Sequence, residues 1–66
     1  MSSKTKRNAE ELQDALREQH GRMKNMVAFT QLHIKDPVLV AKVEACAKGI
    51  KDTIQYIDSK LTPQGG

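Results

Sequence analysis

The segment His33-Ile34-Lys35-Asp36-Pro37-Val38 decides the fold, because it separates two long amphipathic stretches of the chain. The residue before a proline is disfavoured in the helical conformation, so a helix that enters this segment ends at about Lys35-Asp36. Asp36 is a good N-cap, and Pro37 suits the first position of a following helix. The sequence therefore predicts two helices joined by a short connection, which is typical of an antiparallel hairpin.

The stretch before this segment has the pattern of a helix over about residues 8–34. Asn8 and Glu11 form a capping-box pattern at its start. Gly21 lies inside the stretch, and a glycine costs about 1 kcal/mol in a helix interior. A break at His20-Gly21, which would give a three-helix protein, is therefore the alternative. The amphipathic stripe at spacings of three and four residues consists of Ala9, Leu12, Leu16, Gln19, Met23, Met26, Thr30 and His33, with Val27 and Ile34 in an adjoining row.

The stretch after the segment predicts a second helix over about residues 37–61. Antiparallel pairing around the connection places Met26 opposite Cys46 and Gln19 opposite Thr53. We expect Gln19 and Thr53 to form a hydrogen bond that fixes the register, because an unpaired buried amide costs about 1–3 kcal/mol. The stripe of this helix consists of Leu39, Val43, Cys46, Ile50, Thr53 and Ile57, with Val40, Ala47, Ile54 and Leu61 in an adjoining row.

The ends of the chain lack this periodicity. Residues 1–7 are predicted to be a disordered basic arm, residues 8–61 the helical hairpin, and residues 62–66 a flexible tail. Of the net charge of +3, the arm supplies Lys4, Lys6 and Arg7, and the rest of the chain has eight basic and eight acidic residues. The arm is therefore the candidate contact for a nucleic acid or an acidic partner.

The 66 residues form a single small domain, and a chain of this size needs stabilisation beyond its own core. One cysteine excludes a disulfide within the chain, so association is the remaining device. Both helices carry more apolar rows than one seam can hide. We expect a four-helix bundle formed as a homodimer or with another helical protein. The predicted interface residues are Val27, Phe29, Ile34, Val40, Ala47, Ile54, Tyr56 and Leu61.

The residue types that carry chemistry are not arranged for it. His20, His33 and Cys46 match no zinc-binding spacing, and no glycine-rich phosphate loop is present. Cys46 is expected to be a small buried hydrophobic side chain. The sequence therefore predicts no enzyme, no catalytic residue, no metal or other cofactor, and no small-molecule substrate.

Location and function follow from the same pattern. The sequence shows no signal peptide and no apolar run long enough to span a bilayer, so we expect a cytoplasmic protein without a membrane partner. The organisation resembles that of the small helical-hairpin chaperones of bacterial secretion systems, a resemblance of architecture alone. The predicted function is a non-catalytic protein-interaction module, namely an adapter, chaperone or regulator. The alternative is a small dimeric RNA- or DNA-binding regulator.

Overall fold

The computed structural model describes residues 2–61, and in this range the chain is an all-helical antiparallel hairpin, which confirms the all-α hairpin of the predicted fold class. Helix α1 comprises Ser3–Phe29, a π-helical turn follows over Thr30–Ile34, and helix α2 comprises Pro37–Leu61. The two helices pack against each other along most of their length. The predicted tail at 62–66 lies outside the described residues.

Helix α1 begins five residues earlier than predicted. The side chain of Ser2 accepts a hydrogen bond from the Thr5 backbone N–H, at 3.2 Å, and so caps the helix. No proline or glycine lies between this cap and Asn8, and lysine and arginine are good helix formers. The assignment of residues 3–7 to a disordered arm was therefore wrong: Lys4, Lys6 and Arg7 belong to the first turns of α1.

The end of α1 widens into a π-helical turn before the chain reverses. The Thr30 hydroxyl donates to the Met26 carbonyl at 2.7 Å, and the Lys35 N–H donates to the Thr30 carbonyl at 2.9 Å. Lys35 then adopts the left-handed conformation with φ 59° and ψ 37°. This residue turns the chain at the predicted connection, as a left-handed residue commonly does after a helix.

Helix α2 has the bounds that the sequence predicts. The Asp36 carboxylate accepts hydrogen bonds from the backbone N–H groups of Val38 and Leu39, at 3.0 and 3.3 Å, and so caps the helix that starts with Pro37. Helix α1 runs without a break through Gly21, which excludes the three-helix alternative.

In each helix, one of the two rows of residues that form the seam differs from the predicted row. Buried and half-buried positions recur at alternating spacings of three and four residues along each helix, the pattern of a coiled-coil seam. The predicted positions of Met26 and Cys46 inside the seam were therefore wrong, because both side chains are exposed. The seam consists of Ala9, Gln13, Leu16, His20, Met23, Val27 and Thr30 in α1 and of Val40, Val43, Ala47, Ile50, Ile54, Ile57 and Leu61 in α2.

The amino-acid composition of α2 explains which of its rows packs against α1. The row of Val40, Ala47, Ile54 and Leu61 is apolar throughout, whereas the row that begins with Leu39 becomes polar at Thr53 and ends at Lys60. Packing the apolar row inward removes more hydrocarbon from water. In this arrangement, the polar side chain of Gln13 in α1 is buried in the seam.

Gln13 is the polar residue that the seam accommodates. It is 4% exposed, and its Nε2 donates to the Ile54 carbonyl at 3.2 Å and to the Asp58 carboxylate at 3.4 Å. The predicted pair of Gln19 and Thr53 does not form, since both residues are exposed and the Thr53 hydroxyl donates to the Gly49 carbonyl of its own helix.

Candidate protein-interaction surface

The hairpin has two broad faces, one on each side of the plane that contains the two helix axes. The Cα atoms span 46 × 21 × 12 Å, so each broad face is long and shallow. In an antiparallel pair, each helix contributes two rows of residues to the seam. The residues that directly follow one of these rows lie on the same broad face in both helices. The residues that directly precede the other row lie on the opposite broad face. An open groove lined by Lys24 and Gln31 of α1 and by Glu44 of α2 confirms this arrangement for the first face.

The first of these surfaces, the charged face, mixes both signs of charge. In α1 the face begins with the residues that directly follow Leu16 and Met23 in the sequence, and in α2 with those that directly follow Ile50 and Ile57. The adjacent row of each helix, farther from the seam, also belongs to it. Alternation of sign is typical of a solvated helix surface. The members with charged side chains are Glu10, Asp14, Arg17, Lys24, Glu44, Lys48, Lys51 and Asp58.

The opposite surface, the apolar face, contains the large hydrophobic side chains that the seam leaves uncovered. Phe29 and Tyr56, the two aromatic residues of the chain, are 59% and 63% exposed. Large hydrophobic side chains that are exposed on one face mark a candidate site of interaction. The hydrophobic members of this face, all exposed, are Leu12, Met26, Phe29, Leu39, Cys46 and Tyr56.

The closed end of the hairpin extends the apolar surface. Leu32, Ile34 and Val38 are exposed around the π-helical turn and the start of α2. The rings of Phe29 and His33 lie 4.7 Å apart between centroids, at an interplanar angle of 45°. This contact holds the Phe29 ring at the junction between the apolar face and the closed end.

The predicted interface residues divide into two groups. Phe29, Ile34 and Tyr56 are exposed and remain candidates for contact with a partner. The predicted position beside the seam was wrong for the others, because they occupy the seam itself and face the other helix of the same chain. This second group consists of Val27, Val40, Ala47, Ile54 and Leu61. The residues that sequence reasoning missed on the apolar face are Leu12, Met26, Leu39 and Cys46, which it had assigned to the seam.

The basic residues at the start of α1 are all exposed. Lys4, Lys6 and Arg7 follow one another over little more than one helical turn. Lys4 and Arg7, three residues apart, lie on the same side of the helix, whereas Lys6 points to a different side. Farther along, Arg17 lies 3.3 Å from Asp14 and Arg22 lies 3.1 Å from Glu18, so these cations already have acidic neighbours.

The reactive side chains lie apart from one another. Within residues 2–61, no group of three His, Cys, Asp or Glu side chains is placed to hold a metal ion. Cys46 is exposed on the apolar face, which corrects the expectation that it is buried, whereas His20 is half-buried in the seam. In the same range, neither helix has a stretch long and apolar enough to cross a membrane.

Comparison with known proteins gives no indication of function, which is therefore inferred from the surface of the hairpin. No protein family model, no curated protein and no solved structure matches the chain.

Proposed function

We propose that the chain is a non-catalytic protein-interaction module, an adapter, chaperone or regulator that presents its apolar face to a partner. The observation that carries this proposal is the imbalance between buried and exposed hydrophobic side chains. Within residues 2–61, Ala47 and Ile57 are the only hydrophobic residues that are buried, whereas eight large hydrophobic side chains are exposed. A partner that covers the apolar face would supply the core that the hairpin lacks.

The size of the face suits a specific interface. The rectangle of 46 × 21 Å spanned by the Cα atoms has an area of about 970 Å², somewhat above the roughly 800 Å² per partner of a standard interface. The aromatic and methionine side chains on it are the types enriched at interface cores. Two further helices packed on this face would complete a four-helix bundle, whether they come from a second copy or from another helical protein.

The cytoplasm is the proposed location of the module. Its one cysteine is exposed, and an unpaired exposed thiol suits a reducing compartment. Nucleic-acid binding through Lys4, Lys6 and Arg7 has less support. The cations on the charged face alternate with carboxylates, which would repel phosphate groups.

Site-specific photo-crosslinking tests the proposal. A benzophenone amino acid replaces Met26 on the apolar face or, as the matched control, Lys24 on the charged face, and the cells that make the protein are irradiated. We expect a discrete protein adduct from position 26 and none from position 24, because only the apolar face is desolvated by a partner.

The mass of the adduct identifies the partner. An adduct of twice 7.4 kDa indicates a second copy, and any other discrete mass indicates a different protein. Absence of an adduct at position 26, equal labelling at both positions, or an adduct with nucleic acid would contradict the proposed function.

A further inference from the structure

We infer that the apolar face binds an amphipathic helix of another protein whose apolar stripe is flanked by acidic residues. This inference rests on the proposed function and adds the chemistry of the partner. Its basis is the distribution of charge around the hydrophobic side chains of the face.

The acidic residues avoid the apolar face completely. The chain has eight Asp and Glu residues, and all of them lie within residues 2–61. Four are on the charged face, three are on the outer edges of the helices, and one is in the connection. In that order they are Glu10, Asp14, Glu44 and Asp58; Glu11, Glu18 and Asp52; and Asp36.

Three cations lie among the hydrophobic side chains of the same face. Arg22 lines a shallow depression of about 370 Å³ together with Met26 and Phe29. The Lys60 Nζ atom lies 5.3 Å from the centroid of the Tyr56 ring. Lys42 is exposed one helical turn from Leu39. The apolar face is therefore positively charged, although the charged face is nearly balanced.

All three cations can contact an acidic partner, although Arg22 has an ion-pair neighbour within the chain. The Arg22 guanidinium binds Glu18 at 3.1 Å, but both side chains are more than 60% exposed. An ion pair of this kind contributes only about 0–1 kcal/mol, so Arg22 can exchange it for a carboxylate in an interface. Lysine side chains can also cover apolar surface with their stems while the ammonium groups reach the rim.

A second copy is a poorer occupant than an acidic helix. Two identical apolar faces would bring six cations to one interface without a carboxylate from either face. Like charges that are brought together across an interface oppose association. A helix with glutamates beside its apolar stripe would instead place an opposite charge near each cation.

The spacing of the cations sets the length of the partner helix. Lys42 and Lys60 are 18 residues apart on α2, which corresponds to about 27 Å along the helix axis. A partner helix that reaches both must extend over at least about five turns. Its apolar residues would pack against the exposed hydrophobic side chains of α1 and α2 on the apolar face.

Two synthetic peptides of 25 residues provide the test. They share one leucine stripe at heptad spacing and differ only in the flanking positions, which are Glu in one and Lys in the other. Fluorescence anisotropy measures binding to the full chain at low and high salt. We expect the Glu peptide to bind at least about tenfold more tightly than the Lys peptide and to weaken as salt rises.

Charge reversal supplies the controls. The triple variant Arg22→Glu, Lys42→Glu, Lys60→Glu is expected to reverse the preference and select the Lys peptide. The matched variant Lys24→Glu, Lys48→Glu, Lys51→Glu carries the same change in net charge on the charged face and is expected to keep the preference for the Glu peptide. Circular dichroism verifies that both variants remain helical.

Several results would overturn the inference. These are equal binding of the two peptides, equal effects of the two triple variants, self-association that excludes the Glu peptide, or binding of phosphatidylserine vesicles in place of the peptide. If these occur while position 26 still cross-links to a protein, the acidic partner is wrong and the proposed function stands. Without that cross-link, the proposed function itself fails.

Discussion

At the scale of single residues, Gln13 shows how one polar side chain specifies the register. Its amide bonds to the Ile54 carbonyl and to the Asp58 carboxylate, two acceptors that are one turn apart on α2. A slip of one turn would remove the bond to the Asp58 carboxylate, the acceptor that is specific to this register. The sequence pattern predicted Gln19 in this role. Gln13 and Gln19 lie in different rows of α1, and the pattern of apolar residues does not show which of the two rows is buried.

Replacement of Gln13 by alanine tests this role. We expect Gln13→Ala to lower the free energy of unfolding by about 1–2 kcal/mol, since it removes two hydrogen bonds, one of them to a charged group. Gln19→Ala is the matched control and should change it by less than about 0.5 kcal/mol, because Gln19 is exposed. Urea unfolding followed by circular dichroism measures both. A larger loss from Gln19→Ala would place the seam on the other row.

Lys35 has a left-handed backbone conformation. With φ at 59° it is the one non-glycine residue of positive φ among residues 2–61. An L-residue in the left-handed region is destabilised by about 1–2 kcal/mol. We therefore expect Lys35→Gly to raise the free energy of unfolding by about 0.5–1 kcal/mol, after the greater freedom of glycine in the unfolded chain is subtracted.

Lys35→Ala separates backbone strain from charge in the same unfolding experiment. It retains the Cβ atom and removes the ammonium group, so it should leave stability nearly unchanged. Stabilisation by Lys35→Ala as large as that by Lys35→Gly would show that charge, and not backbone conformation, limits stability at this turn.

At the scale of helices, capping chemistry identified the start of α2 but not that of α1, where the capping-box pattern of Asn8 and Glu11 lies inside the helix. Asp36 and Pro37 fix the start of α2 through hydrogen bonds that are local in sequence, so its bounds could be predicted. The start of α1 could not, because residues 3–7 are helical through their cap at Ser2 and carry no apolar stripe. The π-helical turn depends on the Thr30 side chain and on the geometry of the reversal, which leave no periodic signal.

Gly21 provides a test of the continuity of α1. It is exposed and helical, and a Cβ atom built there has no neighbouring atom within 4 Å. Gly21→Ala should therefore raise the free energy of unfolding by about 0.5–1 kcal/mol, because alanine has the higher helix propensity. Thermal unfolding followed by circular dichroism measures the change. Destabilisation of similar size would indicate a left-handed glycine and thus a break in the helix.

At the scale of the whole molecule, the fold could be predicted from the sequence, but the division between seam and surface could not. Phe29 and Tyr56 were identified because they lie outside every candidate row, and Ile34, which shares the row of Val27, is exposed because it lies in the π-helical turn at the closed end. Leu12, Met26 and Cys46 were missed because each helix has three candidate rows and a seam takes two. The choice depends on how both helices pack together, a property that neither helix shows separately.

The asymmetry of the two broad faces follows from this choice. The seam uses the uniformly apolar row of α2, and the remaining mixed row is left on the apolar face together with three cations and no carboxylate. The proposed function therefore depends on the position of Cys46 and its row outside the seam.

Thiol alkylation at neighbouring residues tests that position of Cys46 most directly. The native chain has its single thiol at Cys46 on the apolar face, and the variant Cys46→Ala, Ala47→Cys moves it by one residue into the seam. At low protein concentration, we predict that Cys46 reacts nearly as fast as in the urea-unfolded chain. The thiol at position 47 should react at least about tenfold more slowly. A protected Cys46 with a reactive thiol at position 47 would show that the helices pack through the other row, and that the apolar face described here is part of the core.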